Sequence, residues 1–256
     1  MSRYFNSRII ENTPLNPDHN LLTLSLPAGN IEPLPGQFYM IEVNKGNDPL
    51  LKRAFSLFRR TADGFQLLYR IKGRGTSLLR EMRKGSTIEI LGPLGNHYPE
   101  PVPGQLPLVI AGGVGIASVF SFLEKYHGRA VLFYGARSGN EIFLLDELKK
   151  ISKKVFIATD DGSMGTKGNS VDLLVNYMAE NRPDSGSHAL YACGPHPMLK
   201  SLSGVAASEN ITAYVSMEEN MACGLGACLG CVVKTIAGYK RVCKEGPVFR
   251  SDEIVW

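Results

Sequence analysis

Four of the chain's five cysteines crowd one short stretch, Cys223-x4-Cys228-x2-Cys231-x11-Cys243. Three thiols at C-x4-C-x2-C spacing, with a fourth further on, have the ligand spacing of plant-type [2Fe–2S] clusters. Gly224, Gly226 and Gly230, with Ala222 and Ala227, keep the loop thin enough for backbone N–H groups to approach sulfur. Four thiolates would also hold a structural zinc ion, but zinc ribbons usually pair two short C-x2-4-C knuckles, and only Cys228 and Cys231 make one here. Spacing favours iron–sulfur and leaves zinc as the alternative. Clustering of this kind argues against a disulfide framework.

Two motifs in the N-terminal half suit a flavin. In Arg53-Ala54-Phe55-Ser56 a guanidinium could meet phosphate, a ring could lie against the isoalloxazine, and a hydroxyl or amide could reach its redox-active edge. In Tyr69-Arg70-Ile71-Lys72-Gly73-Arg74-Gly75-Thr76 the glycine pair could bring backbone N–H groups to a pyrophosphate. An ordinary barrel strand with an exposed cation fits the first motif equally well.

Further on, Leu108-Val-Ile-Ala-Gly112-Gly113-Val114-Gly115 sets a glycine turn between an apolar run and a helical one, where a dinucleotide pyrophosphate can meet helix-terminal N–H groups. It is not a full G-x-G-x-x-G, and by itself such a turn reads first as tight packing. Tyr134-Gly-Ala-Arg137 and Thr159-Asp160-Asp161-Gly-Ser163 also follow apolar runs, at the sheet edge where ligands bind. Asp160 and Asp161 would repel a 2′-phosphate, and Asp160 could accept from a free ribose hydroxyl, which tilts the expectation toward NAD over NADP. A solvated acidic turn is an equally simple reading of the same pair. Cys193 stands alone, and His127, His188 and His196 show no ligand spacing. No catalytic acid, base or nucleophile is assigned.

These residues need elements to hold them. Up to about residue 98, short runs rich in Val, Ile, Leu, Phe, Tyr and Thr alternate with turns: Arg8–Glu11, Leu21–Leu26, Phe38–Val43, Ala54–Phe58, Phe65–Ile71 and Thr87–Leu91. They predict an antiparallel barrel or sandwich. Three prolines in Tyr98-Pro-Glu-Pro-Val-Pro-Gly104 interrupt the pattern. Strands at Leu108–Ala111, Ala130–Tyr134, Val155–Thr159 and Ala189–Cys193 then alternate with helices over about 115–126, 141–151, 171–180 and beyond Pro197, which predicts a parallel sheet covered by helices. That rhythm stops near Met217. The expected domains are 1–100, 101–215 and 216–256.

The 256 residues are enough for self-sufficient cores, and a formal charge of +4 is too small and too evenly spread for a nucleic-acid surface. The uncharged run Leu106–Leu123 is broken by Pro107 and three glycines, so it reads as strand, turn and helix, and no membrane association is expected. Met1-Ser-Arg-Tyr-Phe-Asn-Ser-Arg8 leads straight into strand-like sequence, so no secretory leader is expected. Clustered, reduced thiols suit the cytoplasm.

The succession of Arg53-x-Phe-Ser, Gly-x-Gly-Thr76, Gly112-Gly-Val-Gly115 and Cys193-Gly-Pro-His-Pro-Met198 resembles the ferredoxin–NADP reductase superfamily along nearly the whole chain. The cysteine segment Met221–Lys234, followed by Tyr239–Phe249, narrows the resemblance to the electron-transfer subunits of type B dihydroorotate dehydrogenase. That resemblance implies a six-stranded antiparallel FAD-binding barrel, a Rossmann-like NAD domain and a small C-terminal [2Fe–2S] domain. It implies FAD contacts at Arg53, Ala54, Phe55, Ser56, Arg70, Ile71, Lys72, Gly75 and Thr76, Cys193 beside the nicotinamide, and Cys223, Cys228, Cys231 and Cys243 as cluster ligands, alongside the NAD contacts expected from the residues themselves at Gly112, Gly113, Gly115 and Asp160. It further implies an FMN-containing catalytic subunit as partner, in a heterotetramer of two of each chain. Electrons from dihydroorotate oxidation on that partner would pass through the cluster and FAD to NAD⁺ in pyrimidine synthesis. Two positions depart from the family pattern: His97 replaces a glycine, which would reshape the turn if that site needed φ > 0, and Ala117 stands where proline is common.

Two other classes remain open from sequence. One is an NAD(P)H-dependent flavin and iron–sulfur reductase serving a ferredoxin, hydrogenase or sulfide-linked partner. The other is a zinc-stabilised binding module without redox chemistry.

Overall fold

Period-two burial in the N-terminal third folds into one antiparallel sheet. In the computed structural model, which describes residues 3–27, 29, 31–181 and 186–256, its strands are β1 (Arg3–Asn16), β2 (His19–Ser25), β3 (Phe38–Ile41), β4 (Arg53–Ser56), β5 (Arg59–Thr61), β6 (Gly64–Arg70) and β7 (Thr87–Leu94). They lie in the order β4-β3-β7-β1-β2-β6-β5. Edge strands β4 and β5 are separated in sequence only by Leu57 and Phe58, both fully buried, so the chain steps directly from one edge to the other and the sheet closes on itself. All six expected strands form. Strand β5 adds a seventh, too short to show a periodicity. Helix α1 (Arg74–Glu81) takes up the Gly75-Thr76 end of the Gly-x-Gly-Thr stretch.

The second layer contains β8 (Leu106–Gly112), α2 (Ile116–Lys125), β9 (Val131–Ala136), α3 (Leu145–Ile151), β10 (Lys154–Thr159), β11 (Thr166–Lys167), α4 (Ser170–Asn181), β12 (His188–Cys193), α5 (His196–Ser208) and β13 (Ala213–Ser216). The tail follows with hairpin β14 (Val232–Thr235) and β15 (Gly238–Arg241), then β16 (Val248–Arg250). Strands β8 to β13 are parallel, and β16 joins β13 antiparallel, giving the order β11-β10-β9-β8-β12-β13-β16. Both faces of this sheet are covered, which accounts for its near-continuous apolar strands. Val109, Leu132 and Tyr191 pack with α2 and α3 on one face, while Leu108, Phe133 and Leu190 pack with α4 and α5 on the other. The helix expected from residue 141 starts only at Leu145, because Leu144 takes a left-handed φ of 54° after a tight turn at Gly139–Glu141.

The two layers are tied at several points. Arg59 of β5 bonds Glu147 of α3 at 2.6 Å and covers the Phe120 ring. Buried Tyr98 bonds Ser118 Oγ and accepting Ala192 O, each at 3.2 Å. Asn96 donates to the carbonyls of Glu245 and Val248, and Asn16 Nδ2 donates to Asn140 O at 2.8 Å. No helix among the described residues is long and apolar enough to cross a membrane.

Candidate functional site

Strand order reverses between β8 and β12: the chain winds outward through β9 and β10 on one side, then through β12 and β13 on the other. Loops diverge at such a switch point and leave a crevice at the C-terminal strand ends. A cleft of about 540 Å³ lies there, walled by Gly112–Gly115, Asp160, Gly194 and Pro195, and on the barrel side by His19 and Arg70. A second cleft, of about 230 Å³, runs along Ala54–Ser56 of β4 with Phe38, Leu68, Met221 and Pro247. Arg70, Val114 and Glu218 line both, so the two clefts adjoin.

The second cleft has the chemistry of a flavin bed. Ala54, Phe55 and Ser56 line it, with Phe55 tilted 5.5 Å from Tyr69. Arg53 has no carboxylate partner among the described residues; its Nη1 donates to Leu51 O at 2.6 Å. Its guanidinium lies beside Gly75 in the first turn of α1, where Gly73 supplies no capping oxygen for the free N–H groups. Thr76 Oγ1 accepts from Lys72 N and Gly73 N and so shapes that turn. A guanidinium beside open helix-terminal N–H groups is a place for a phosphate. Arg70 reaches both clefts, whereas Ile71 packs on the barrel core and donates its N–H to Asp18 O at 2.7 Å. Lys72 is close enough to Glu218 to favour its ionised form.

In the larger cleft the three glycines do different work. A Cβ on Gly115 would collide with the Cys193 carbonyl, and one on Gly112 would sit 2.7 Å from Met198 Sδ and Pro195 Cδ. Gly113, with φ +51°, faces open space. Tight packing and an open crevice are therefore one arrangement: the close approach of β8 to the end of β12 forms the floor. At the outer end Arg137 is engaged by Glu141 at 2.6 Å, and Asp161 accepts from Ser163 N and Oγ, which hold it below the usual carboxylate range. Asp160 also lines the cleft, and its carboxylate accepts no hydrogen bond among the described residues.

Cys193 is fully buried and lines neither cleft. It lies beneath the floor, Sγ 3.9 Å from Glu218 Oε1, and burial pushes its thiol far above the ordinary range. Glu218 is the residue that sequence reading missed. Its carboxyl opens onto both clefts, yet desolvation by the surrounding protein raises its pKa, against the opposing pull of Cys193 and Lys72. Its position just past the end of a parallel strand was the available signal, but β13 was not recognised.

The cysteines stand as neighbouring free thiols, Cys223 beside Cys228 and Cys231 beside Cys243, whose N–H donates to Cys231 Sγ at 3.4 Å. Burial would raise the Cys223 thiol, but N–H groups of Cys228, Leu225 and Ala227 outweigh it and bring the pKa down to about 6. Burial and Cys231 push Cys243 up to about 12. No three His, Cys, Asp or Glu side chains among the described residues converge as ligands of one ion. Four thiols gathered from one segment can supply two thiolates to each iron of a two-iron cluster. Gly224 and Gly226 carry φ of +69° and +81°, and a Cβ on Gly224 would sit 2.6 Å from Met40 Cγ of the barrel. Met221, two residues before Cys223, and Pro247, four after Cys243, both line the flavin-type cleft. Two residues span at most about 7 Å, so the cluster loop abuts that cleft.

The departures are accommodated locally. His97 has no positive φ; Gly95 has, at 72°, and it needs to be glycine because Pro247 Cδ lies 2.5 Å from where its Cβ would be. Ala117 is buried in the first turn of α2 and lines the flavin-type cleft.

Three family models match successive stretches: an oxidoreductase FAD-binding domain over residues 6–98, an oxidoreductase NAD-binding domain over 109–203, and the iron–sulfur cluster binding domain of dihydroorotate dehydrogenase B over 218–255. The electron transfer subunit of dihydroorotate dehydrogenase B (NAD(+)) from Desulforamulus reducens is 33% identical over 265 residues, covering 100% of both chains. Its counterpart from a Geobacillus species is 37% identical, covering 92% of this chain and 93% of its own. Among solved structures, the NADH-dependent reduced ferredoxin–NADP oxidoreductase superposes with a TM-score of 0.85 at 27% identity, over 98% of this chain and 90% of that one. The Neisseria gonorrhoeae ferredoxin NADP⁺ reductase with bound FAD and NADP shares the fold, with a TM-score of 0.68 at 21% identity over 86% and 95% of the two chains.

Proposed function

This chain belongs to the family of dihydroorotate dehydrogenase B electron-transfer subunits, and from that premise we propose how its own residues link a catalytic partner to NAD⁺. FAD, when bound, would supply the conversion between the electron pairs of a nicotinamide and the single electrons of a [2Fe–2S] cluster. Arg53 and the N–H groups around Gly75 and Thr76 hold the FAD pyrophosphate, while Ala54, Phe55, Ser56, Arg70 and Lys72 line the flavin. Gly112, Gly113 and Gly115 shape the crevice for the dinucleotide pyrophosphate, and Asp160 accepts from a ribose hydroxyl. Cys193, from beneath the floor, packs without adding bulk where nicotinamide and flavin must stack. Glu218, at the junction of both clefts, borders flavin and nicotinamide together. Cys223, Cys228, Cys231 and Cys243 would hold the cluster.

The observation that carries this reading is contiguity. One wall, formed by Arg70, Val114 and Glu218, serves both clefts, and the loop holding Cys223 starts from that same wall. Sites for cluster, flavin and nicotinamide would thus adjoin within one chain. The partner is an FMN-containing subunit that oxidises dihydroorotate in cytoplasmic pyrimidine synthesis, assembled as two copies of each chain, and the units 1–100, 101–215 and 216–256 carry FAD, NAD and cluster in turn.

Reconstituting the chain with its FMN-bearing partner should yield dihydroorotate-dependent NAD⁺ reduction. Flavin bands and a reduced [2Fe–2S] electron paramagnetic resonance signal should accompany it. NADH-driven ferredoxin reduction with no dihydroorotate coupling would instead assign the chain to a differently partnered reductase.

A further inference from the structure

His19 is buried at 3% exposure, sits at the tip of the β1–β2 hairpin, and yet forms part of the wall of the larger cleft. Its orientation is fixed from two sides. The ring lies 4.6 Å from Phe143 of the opposite layer. Nδ1 lies 3.0 Å from Asn16 Oδ1. Asn16 itself cannot be turned round: its Nδ2 donates to Asn140 O at 2.8 Å, and its Oδ1 also accepts from Asp18 N at 2.9 Å. Because Oδ1 can only accept, the facing imidazole nitrogen must carry the proton. In the neutral ring Nε2 then bears a lone pair. That atom has no partner among the described residues, nor is it sealed in the interior.

The groups around the ring keep it neutral. Burial acts most strongly, Arg70 from β6 and Arg137 after β9 act in the same direction, and Glu141 and Asp18 oppose them; the balance lowers the His19 pKa. A neutral imidazole that presents a lone pair repels a phosphate oxygen and suits a hydroxyl donor.

We propose that His19 is a nucleotide-binding residue contributed by the barrel, whose Nε2 accepts a hydrogen bond from a ribose hydroxyl of the pyridine dinucleotide. The inference rests on the reading of the larger cleft as the dinucleotide site. It gives that site a second wall: the strand ends of the parallel sheet supply glycines and Asp160, and the hairpin supplies one oriented acceptor. Since the Asn16 to Asn140 bond crosses between the layers, the acceptor is in place only when barrel and sheet are correctly docked.

Two isosteric substitutions separate binding from packing. His19→Asn places an amide N–H where Nδ1 was and removes the distal acceptor; His19→Gln presents an amide oxygen where Nε2 was and gives up the Asn16 bond. With purified holoprotein of matched FAD content and cluster signal, ADP-ribose affinity should fall about tenfold in His19→Asn, about the worth of one hydrogen bond. It should be largely restored in His19→Gln, with KM for NADH moving in parallel. A structural role would give the reverse order, and that result, or equal affinity in all three proteins, overturns the proposal. So would wild-type affinity that tightens as pH falls from 8 to 6, the mark of a cationic His19 on the pyrophosphate. Failure of ADP-ribose to bind the wild type would strike the dinucleotide reading of the cleft itself.

Discussion

Gly75 rests on the Arg53 guanidinium so closely that a Cβ there would lie 2.9 Å from Nε and 3.0 Å from Nη2. The glycine lets the first turn of α1 and the cation share one small space, and the pair forms a phosphate site only while nothing separates them. Gly75→Ala should displace Arg53, and Arg53→Ala should remove the charge; both proteins should purify with much less FAD, read as flavin absorbance per chain. Full flavin content in both would remove this pair from the FAD site.

Cys228 is the exposed member of its pair and Cys223 is half-buried. Cys228→Ser should abolish the reduced-cluster resonance and one-electron transfer to an acceptor protein, while stopped-flow reduction of FAD by NADH survives. Loss of both reactions would mean that the cluster is needed to keep the flavin cleft in shape.

The close approach of Gly115 to the Cys193 carbonyl leaves no room for a methyl group. Gly115→Ala should destabilise the protein by about 1–3 kcal/mol, as overpacking does, and should raise KM for NADH. Thermal melts of the holoprotein read the first effect. An unchanged melting temperature would show that the strand ends can separate at little cost.

Glu141 is taken up by Arg137 and Asp161 by Ser163, whereas the Asp160 carboxylate at the outer end of the cleft accepts no hydrogen bond among the described residues. Asp160→Asn should raise kcat/KM for NADPH relative to NADH by about tenfold, as removal of a like-charge clash does. An unaltered ratio would place nucleotide selection elsewhere.

Cys193 is buried and its folded-state thiol pKa lies far above the ordinary value, so raising pH from 7 to 9 should generate no thiolate there. An unfolded thiol would ionise across that window. Iodoacetamide labelling followed by mass spectrometry should therefore modify Cys193 in guanidinium at pH 9 and spare it in the native protein at either pH. Native labelling that rises with pH would show that the floor opens.

The iron–sulfur segment is legible in the sequence because ligand spacing is a local property: all four thiols lie within residues 223–243, inside the stretch matched by the cluster-binding family. The parallel sheet was legible from its apolar strands and glycine turns. The missed features depend on distant partners. Strand β5 exists because β6 lies beside it, and β13 and β16 are short segments that take strand form by extending an existing sheet edge. Glu218 followed from missing β13, since a carboxylate gains meaning there only once a strand is known to end before it. His19 was hidden for a related reason: its orientation is set by Asn16 and Phe143, and one of these reaches it from across the layer boundary.

The tail's return to the main sheet, where β16 lies against β13, bears on kinetics. A redox group on a free arm must swing between donor and acceptor, and its rate then follows the friction of the medium. Here both ends of the cluster segment are woven into the body of the protein, so its distance from the flavin cleft is built in at folding. Transfer between them should be indifferent to glycerol or sucrose. Any dependence of turnover on viscosity would arise outside this chain, at the encounter with nucleotide or partner.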